Sequence, residues 1–129
     1  AGEGSWYGAV AVDGKVYFSP LDAPCVLRLD ARTGDVHMIS TQRIFSGHSK
    51  WGGGVACGDS IYFAPRGANC ILQLELGSGI MRGIETDTIF AGNFFKWGNA
   101  VVGGDCIYFP PARATCVLKF EPATNRLTG

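Results

Sequence analysis

The chain has two histidines, His37 and His48, and these imidazoles with nearby carboxylates are its side chains best suited to acid–base chemistry. A Ser–His–Asp arrangement can be drawn from Ser46, His48 and an aspartate, but nothing in their spacing supports it. The recurring acidic residues stand beside turns, where a carboxylate accepts backbone N–H groups. They are Asp30, Glu75 and Glu121, and Asp13, Asp59 and Asp105. We therefore predict no catalysis by this chain.

Metal and phosphate motifs are missing from the sequence, which contains no C-x-x-C pair, no H-E-x-x-H and no phosphate-binding glycine loop. We expect no metal and no cofactor. Cys25, Cys70 and Cys116 occupy equivalent places in the repeat described below, whereas Cys57 and Cys106 do not follow that pattern. We interpret the recurring cysteines as small buried apolar residues in a reducing, intracellular compartment.

Composition narrows the class of protein. A chain of 129 residues is the size of one domain, and its formal net charge is zero, which argues against a dedicated nucleic-acid binder. No apolar stretch approaches the roughly 18 residues that a membrane-spanning helix needs. We expect neither nucleic acid nor membrane among its partners.

An internal repeat organises the whole chain, so any site is built on its strands and loops. Trp6, Trp51 and Trp97 are 45 and 46 residues apart, and each begins the same succession of segments. A small-residue strand, a tight turn, `VYFSP`, `IYFAP` or `IYFPP`, a loop, and `CVLRLD`, `CILQLE` or `CVLKFE` follow in order. Each repeat therefore predicts a four-stranded antiparallel meander without helix. The expected repeats span approximately 5–46, 50–92 and 96–129 of a single domain, 1–129.

The strands predict how the repeats pack. Strands with one wet face alternate apolar and polar residues, whereas `VYF`, `IYF` and `GGGVAC` are apolar or small throughout. Such strands are covered on both faces, which is typical of the blades of a β-propeller. Recurring aromatic residues are expected to fill the space between blades. They are Trp6, Trp51, Trp97, Tyr17, Tyr62 and Tyr108.

The segment `KWGGGVACGDSIYFAPRGANCILQLE` resembles the blades of a β-propeller repeat family reading roughly Trp-x-Gly-Gly-Val, Gly-Lys-Ile-Tyr, Pro and Val-Leu-x-Ile-Asp-Pro-x-Thr. That family is distantly similar to kelch and quinoprotein-type propellers. The resemblance covers nearly the whole chain, although `LGSG` in the second repeat departs from the Asp-Pro-x-Thr ending. It implies the fold far more than a function.

Three blades are fewer than the 4 to 8 that close a propeller. We expect two chains to associate as a homodimer with six blades, each chain forming half of the propeller. The other interpretation is that the missing blades belong to a larger propeller. The rival fold is a β-trefoil, which also contains three repeats but whose strands should alternate more.

One end of the sheets should collect positive and aromatic side chains. The loop before each first strand and the loop between the second and third strands lie at the same end of a meander. We expect this end to bind a protein or a small polar or anionic ligand. Its predicted residues are His48, Lys50, Arg66, Asn93, Phe94, Phe95, Lys96 and Arg113.

Taken together, these patterns predict a non-catalytic binding or scaffold module. A carbohydrate-binding, lectin-like domain is one alternative, suggested by the threefold repeat. A propeller-type hydrolase or lyase is another, and it would need an acid–base pair or a metal facing the central channel.

Overall fold

The computed structural model describes residues 5–92 and 95–129, which form three separate four-stranded antiparallel sheets and no helix. The first sheet comprises β1 (Trp6–Val12), β2 (Lys15–Pro20), β3 (Cys25–Asp30) and β4 (Val36–Ser40). The second comprises β5 (Trp51–Cys57), β6 (Ser60–Pro65), β7 (Cys70–Glu75) and β8 (Met81–Glu85). The third comprises β9 (Val101–Gly103), β10 (Cys106–Phe109), β11 (Leu118–Glu121) and β12 (Arg126–Thr128). The predicted all-β fold of three blades is confirmed, and the β-trefoil is wrong because each repeat forms its own sheet.

Turn residues fix each meander. Asp13 and Gly14, between β1 and β2, both have positive φ, 49° and 76°, as a tight two-residue hairpin requires. The turns before the fourth strands place Gly34, Gly79 and Asn125 at φ 78°, 74° and 59°. These are the positions where the sequence offers the residues that tolerate a left-handed backbone. In the third repeat Asn125 adopts the positive φ that Gly34 and Gly79 adopt in the first two. The turn therefore forms there as well, and β12 follows it.

The core lies between the sheets, in two layers. One layer joins Tyr17 and Val26 of the first sheet to Trp51, Phe63 and other residues of the second. The other joins side chains of the second sheet, such as Tyr62, to Trp97, Phe109 and Phe120 of the third. The first strands of the sheets, β1, β5 and β9, lie beside one another. The middle sheet is therefore covered on both faces, whereas each outer sheet is covered on one.

The repeated tryptophans share one hydrogen bond. The indole N–H of Trp6, Trp51 and Trp97 donates to the carbonyl oxygen of the recurring cysteine of its own sheet, at 3.0, 2.8 and 2.9 Å. Each bond ties the segment that begins at the tryptophan to the segment that begins at the cysteine of the same sheet. Trp51 is fully buried, whereas Trp6 is half-buried on the outer face of the first sheet.

The cysteines are free thiols in different environments. Cys25, Cys70 and Cys106 are buried, whereas Cys57 and Cys116 are half-buried. Burial raises the pKa of the Cys70 thiol to about 12, and the Glu85 carboxylate adds to the shift. Cys70 therefore acts as a packed apolar residue.

We expect Trp51→Phe to lower the free energy of unfolding by about 2 to 4 kcal/mol, because it leaves the Cys70 carbonyl unpaired in the core and removes packed atoms. Trp6→Phe is the matched control, and its cost should stay below about 1 kcal/mol because water can reach its half-buried site. Denaturant unfolding of both variants measures the difference. Equal losses would contradict this account of the core.

We expect Cys70 to resist alkylation by iodoacetamide at pH 8 in the folded protein. With its pKa near 12, only about one thiol in 10,000 is the reactive thiolate at that pH. Peptide mass spectrometry after a fixed reaction time measures the labelled fraction at each cysteine. The same reaction in guanidinium chloride should label all five, and equal labelling of Cys70 in both conditions would refute the prediction.

Candidate functional site

The loop before each first strand and the loop between the second and third strands meet at one end of the sheets, which we call the loop end. The carbonyl oxygen just before each tryptophan receives N–H groups from the second loop of its own sheet. Ser5 accepts from Ala23 at 2.8 Å. Lys50 accepts from Ala68, and Lys96 from Ala114, both at 3.0 Å. These bonds hold both loops of every sheet at the same end.

Lys50 and Lys96 depart from the prediction that they present charge to a ligand. Their side chains are 2% and 0% exposed, and each ammonium donates to a nearby loop carbonyl at 3.0 Å, that of Gly47 or Gly92. Burial lowers the pKa of both ammonium groups, and Asp22 or Asp87 partly opposes the shift. The two lysines therefore stabilise the loops that precede the second and third sheets through hydrogen bonds from buried ammonium groups.

Arg66 is the cation that the loop end presents to solvent beside aromatic rings. Its guanidinium carbon lies 5.1 Å from the centre of the Tyr7 ring and 4.6 Å from that of Phe95. Both distances are within the range of cation–π attraction. No carboxylate in the described part of the chain forms a salt bridge with Arg66. The half-buried guanidinium thus lies against two rings, and no ion pair within residues 5–92 and 95–129 compensates its charge.

Two glycines of β5 make room for this arrangement. A Cβ atom at Gly52 would lie 2.8 Å from Cδ of Arg66, and one at Gly53 would lie 2.8 Å from Oδ1 of Asn99. Instead, the Gly53 N–H donates to Oδ1 of Asn99 at 3.0 Å. The missing side chains therefore let Arg66 and Asn99 lie against the innermost strand.

A His–Asp pair lies at the same end. Nδ1 of His48 is 3.7 Å from Oδ1 of Asp22, and the same oxygen accepts the Ser49 N–H at 2.7 Å. The 3.7 Å distance to the imidazole is too long for a strong hydrogen bond. Asp22 therefore holds the loop through the Ser49 N–H and lies near the ring without a hydrogen bond to it. A cleft of about 160 Å³ lies beside Asp22 and is lined by residues that include Asp22, Ser46 and Lys50. His48 itself is exposed.

The two loops are joined directly. The Gly67 N–H donates to the Ser49 carbonyl at 2.7 Å, so the residues following Arg66 and His48 in sequence are hydrogen-bonded to each other. The Lys50 N–H donates to the Leu21 carbonyl at 2.8 Å, which links this unit to the loop that carries Asp22. The structure thus brings three parts of the chain together at one end.

The remaining predicted residues are distributed as follows. Phe95 stacks on Arg66, Arg113 is exposed on the corresponding loop of the third sheet, and Asn93 and Phe94 lie outside the described residues. The predicted packing residues Tyr17, Tyr62, Trp51 and Trp97 lie in the two core layers. Trp6 and Tyr108 lie half-buried in the outer sheets.

The recurring carboxylates have local roles. Asp30 accepts the N–H groups of Arg32 and Thr33, and the Arg32 bond is the main cause of its lowered pKa. Glu75 and Glu121 accept hydroxyl groups of Ser78 and Thr124 within their turns, at 2.6 and 2.5 Å. Over residues 5–92 and 95–129 no three His, Cys, Asp or Glu side chains gather as metal ligands. In the same ranges no helix is long and apolar enough to cross a membrane.

Sequence reasoning missed Tyr7, Asn99 and the role of Asp22. Tyr7 stands where the later repeats have Gly52 and Gly98, and this break in the pattern is the one signal that could have singled it out. The closeness of Asp22 to His48 depends on two loops 26 residues apart, which spacing along the chain does not show.

Comparison with known proteins supports the fold. No family model and no curated protein sequence matches the chain. A streptogramin B lyase structure is similar, with TM-score 0.78 and 20% identity over 96% of this chain and 39% of that chain. Virginiamycin B lyase from Staphylococcus aureus is similar with TM-score 0.76 and 14% identity, and the match covers 96% of this chain and 40% of that chain. The extracellular domain of a putative one-component system from B. thetaiotaomicron is similar with TM-score 0.73 and 12% identity. The match covers 96% of this chain and 16% of that chain.

These likenesses, all under 25% identical, show a β-propeller fold, and the chain spans about two fifths of the length of the two lyases. No match supports the kelch-like repeat family in particular. The prediction of a non-catalytic binding or scaffold module is contradicted, because the similar propellers include two lyases. The comparisons favour the alternative of a propeller-type hydrolase or lyase.

We expect acetic anhydride to modify Lys15 and Lys119 well before Lys50 and Lys96 in the folded protein. The lowered pKa of the two buried ammonium groups would by itself favour reaction, but their near-complete burial denies the reagent access. Peptide mass spectrometry after limited acetylation measures the order, and denatured protein is the control. Early acetylation of Lys50 or Lys96 would show that these side chains are accessible.

Proposed function

We propose that this chain forms part of a propeller-type lyase whose reacting surface is the loop end. The observation that carries the proposal is the Arg66 guanidinium, which is stacked between Tyr7 and Phe95 and has no salt-bridge partner in the described residues. A cation fixed in this way suits a substrate with a carbonyl or carboxylate oxygen. The fold shared with two lyases supports the same class of activity.

Arg66 would bind and stabilise negative charge. Its planar guanidinium offers a fork of N–H donors, and stacking on two rings leaves the edge of the plane for an oxygen ligand. Gly52 supplies the space in which the side chain lies. Because the position is set before a ligand arrives, little reorganisation is needed as charge develops on the substrate oxygen.

His48 would move the proton. A neutral imidazole can accept a proton from a substrate carbon, and Oδ1 of Asp22 lies 3.7 Å from Nδ1 of this ring. Asp22 also fixes the backbone of this loop through Ser49. It is therefore a positioning residue, because it acts through the histidine and its loop.

An elimination needs a base that removes a proton and a cation that stabilises negative charge, and it consumes no water. His48 takes a proton from the carbon next to the substrate carbonyl, and the electron pair of that bond forms a carbon–carbon double bond. The bond from the next carbon to the leaving group breaks, and its electron pair departs with that group. Arg66 stabilises the negative charge that grows on the carbonyl oxygen during the step.

We expect the protein to convert virginiamycin B, used here as the probe, and Arg66→Gln and His48→Asn each to lower kcat/KM at least about 100-fold. Arg43→Gln and His37→Asn are matched controls, because they remove an exposed guanidinium and an exposed imidazole elsewhere. Chromatography with mass spectrometry follows the product. Elimination within a ring leaves the mass of the compound unchanged, whereas hydrolysis adds one water.

The outcomes separate the alternatives. A product of unchanged mass whose formation depends on Arg66 and His48 supports the lyase. A product heavier by one water would indicate the hydrolase. No conversion by the unaltered protein, or equal activity in all four variants, would contradict the proposal.

A further inference from the structure

The outer face of the first sheet is apolar and continuous. Register places Val16 opposite Leu29 and Phe18 opposite Leu27 between β2 and β3, while Leu27 faces Met38 and Leu29 faces Val36 between β3 and β4. Directly opposed residues project from the same side of a sheet. Six apolar side chains therefore share this side, which we call the leading face. They are Val16, Phe18, Leu27, Leu29, Val36 and Met38.

The middle sheet shows what covers such a face. The residues 45 positions later include Ile61, Phe63 and Leu72, all completely buried against the first sheet. On the leading face of the first sheet, Val16, Phe18 and Leu27 are half-buried, and Met38 is 68% exposed. The same surface is therefore closed in one sheet and open in the other.

The third sheet has the opposite side open, and we call this side the trailing face. The residues that the first two sheets bury against their neighbours include Tyr17 and Val26, and Tyr62 and Ile71. Their counterparts in the third sheet are Tyr108, which is half-buried, and Val117, which is 52% exposed. Val101 on β9 is also exposed. The trailing face thus presents an unused copy of a surface that the chain packs twice elsewhere.

We propose that the trailing face of one chain packs on the leading face of a second copy, and that two copies close a six-bladed ring. The interface would repeat the two junctions already present within the chain, in which a Tyr and a Val or Ile of one sheet meet an aliphatic residue, a Phe and a Leu of the next. The two open faces are therefore of the two kinds that pack on each other within the chain.

Complementarity of this kind makes the contact heterologous, and such contacts form rings when the rotation closes. Each ring would contain two identical junctions related by a twofold axis. The apolar side chains named above explain why the surfaces need a cover, since extended exposed apolar patches mark association sites. The inference is independent of the proposed lyase activity, because none of these residues belongs to the loop end.

Light scattering across a dilution series measures the mass of the unaltered protein. A stable mass of twice 13.7 kDa is expected. The mass of one chain would overturn the proposal and would assign the open faces to blades of another polypeptide. A mass that keeps growing with concentration would overturn the closed ring.

Two variants test the faces separately. Val117→Asp alters the trailing face and Met38→Asp the leading face, and both positions are exposed enough to keep the chain folded, which circular dichroism checks. Each should weaken association at least about 100-fold, because it would bury an unpaired carboxylate in every junction. Ile80→Asp is the control, since Ile80 is 64% exposed in a turn outside both faces.

Mixing the variants tests direction. A mixture of Val117→Asp and Met38→Asp chains retains one unaltered trailing face and one unaltered leading face, so a two-chain species should reappear. If the contact instead joined like faces, one variant would associate normally alone and mixing would add nothing. That result would overturn the head-to-tail junction.

Discussion

The backbone of the residue before each tryptophan is the point on which the loop end depends. At Lys50, the N–H donates to Leu21 of the preceding sheet, while the carbonyl accepts from Ala68 of its own sheet. Its ammonium donates to Gly47, which holds the loop that leads to the next sheet. One residue thus fixes the distance between two sheets and the path of two loops. Lys96 repeats the pattern with Arg66, Ala114 and Gly92.

A buried ammonium is costly unless its charge is well accommodated. The Lys50 ammonium has the Gly47 carbonyl as acceptor, and the Asp22 carboxylate is close enough to influence its pKa. The burial of the ammonium groups fixes the loops, because each loop is hydrogen-bonded to a lysine held in the core. Arg66 gains from this directly, since its own N–H and C=O take part in the two lysine-centred networks. The backbone that carries the Arg66 side chain therefore cannot shift without breaking its hydrogen bonds to Lys50 and Lys96.

The fold could be predicted from the sequence because its determinants are local and repeated. Trp6, Trp51 and Trp97, the apolar runs and the Gly or Asn turns each specify a strand or a turn and recur at one spacing. The site was predicted only in part. The repeat predicts the loop position of Arg66 and Phe95, which lie together at the loop end. The burial of Lys50 and Lys96 depends on tertiary packing, which their loop position does not show. The closeness of Asp22 to His48 and of Tyr7 to Arg66 arises across sheet boundaries, where differences between repeats matter more than their similarity.

The hydrogen bond from each indole ends on the main chain of a cysteine and not on its sulfur. Since a carbonyl is common to all residues, the chain does not need a thiol at these places to keep the bond. Alanine or valine at Cys25, Cys70 and Cys116 would preserve the acceptor while removing three of the five thiols. With Cys106 replaced as well, Cys57 alone would remain for attaching a spin label or fluorophore beside the β5–β6 turn. The architecture thus accepts a reporter group for distance measurements in solution.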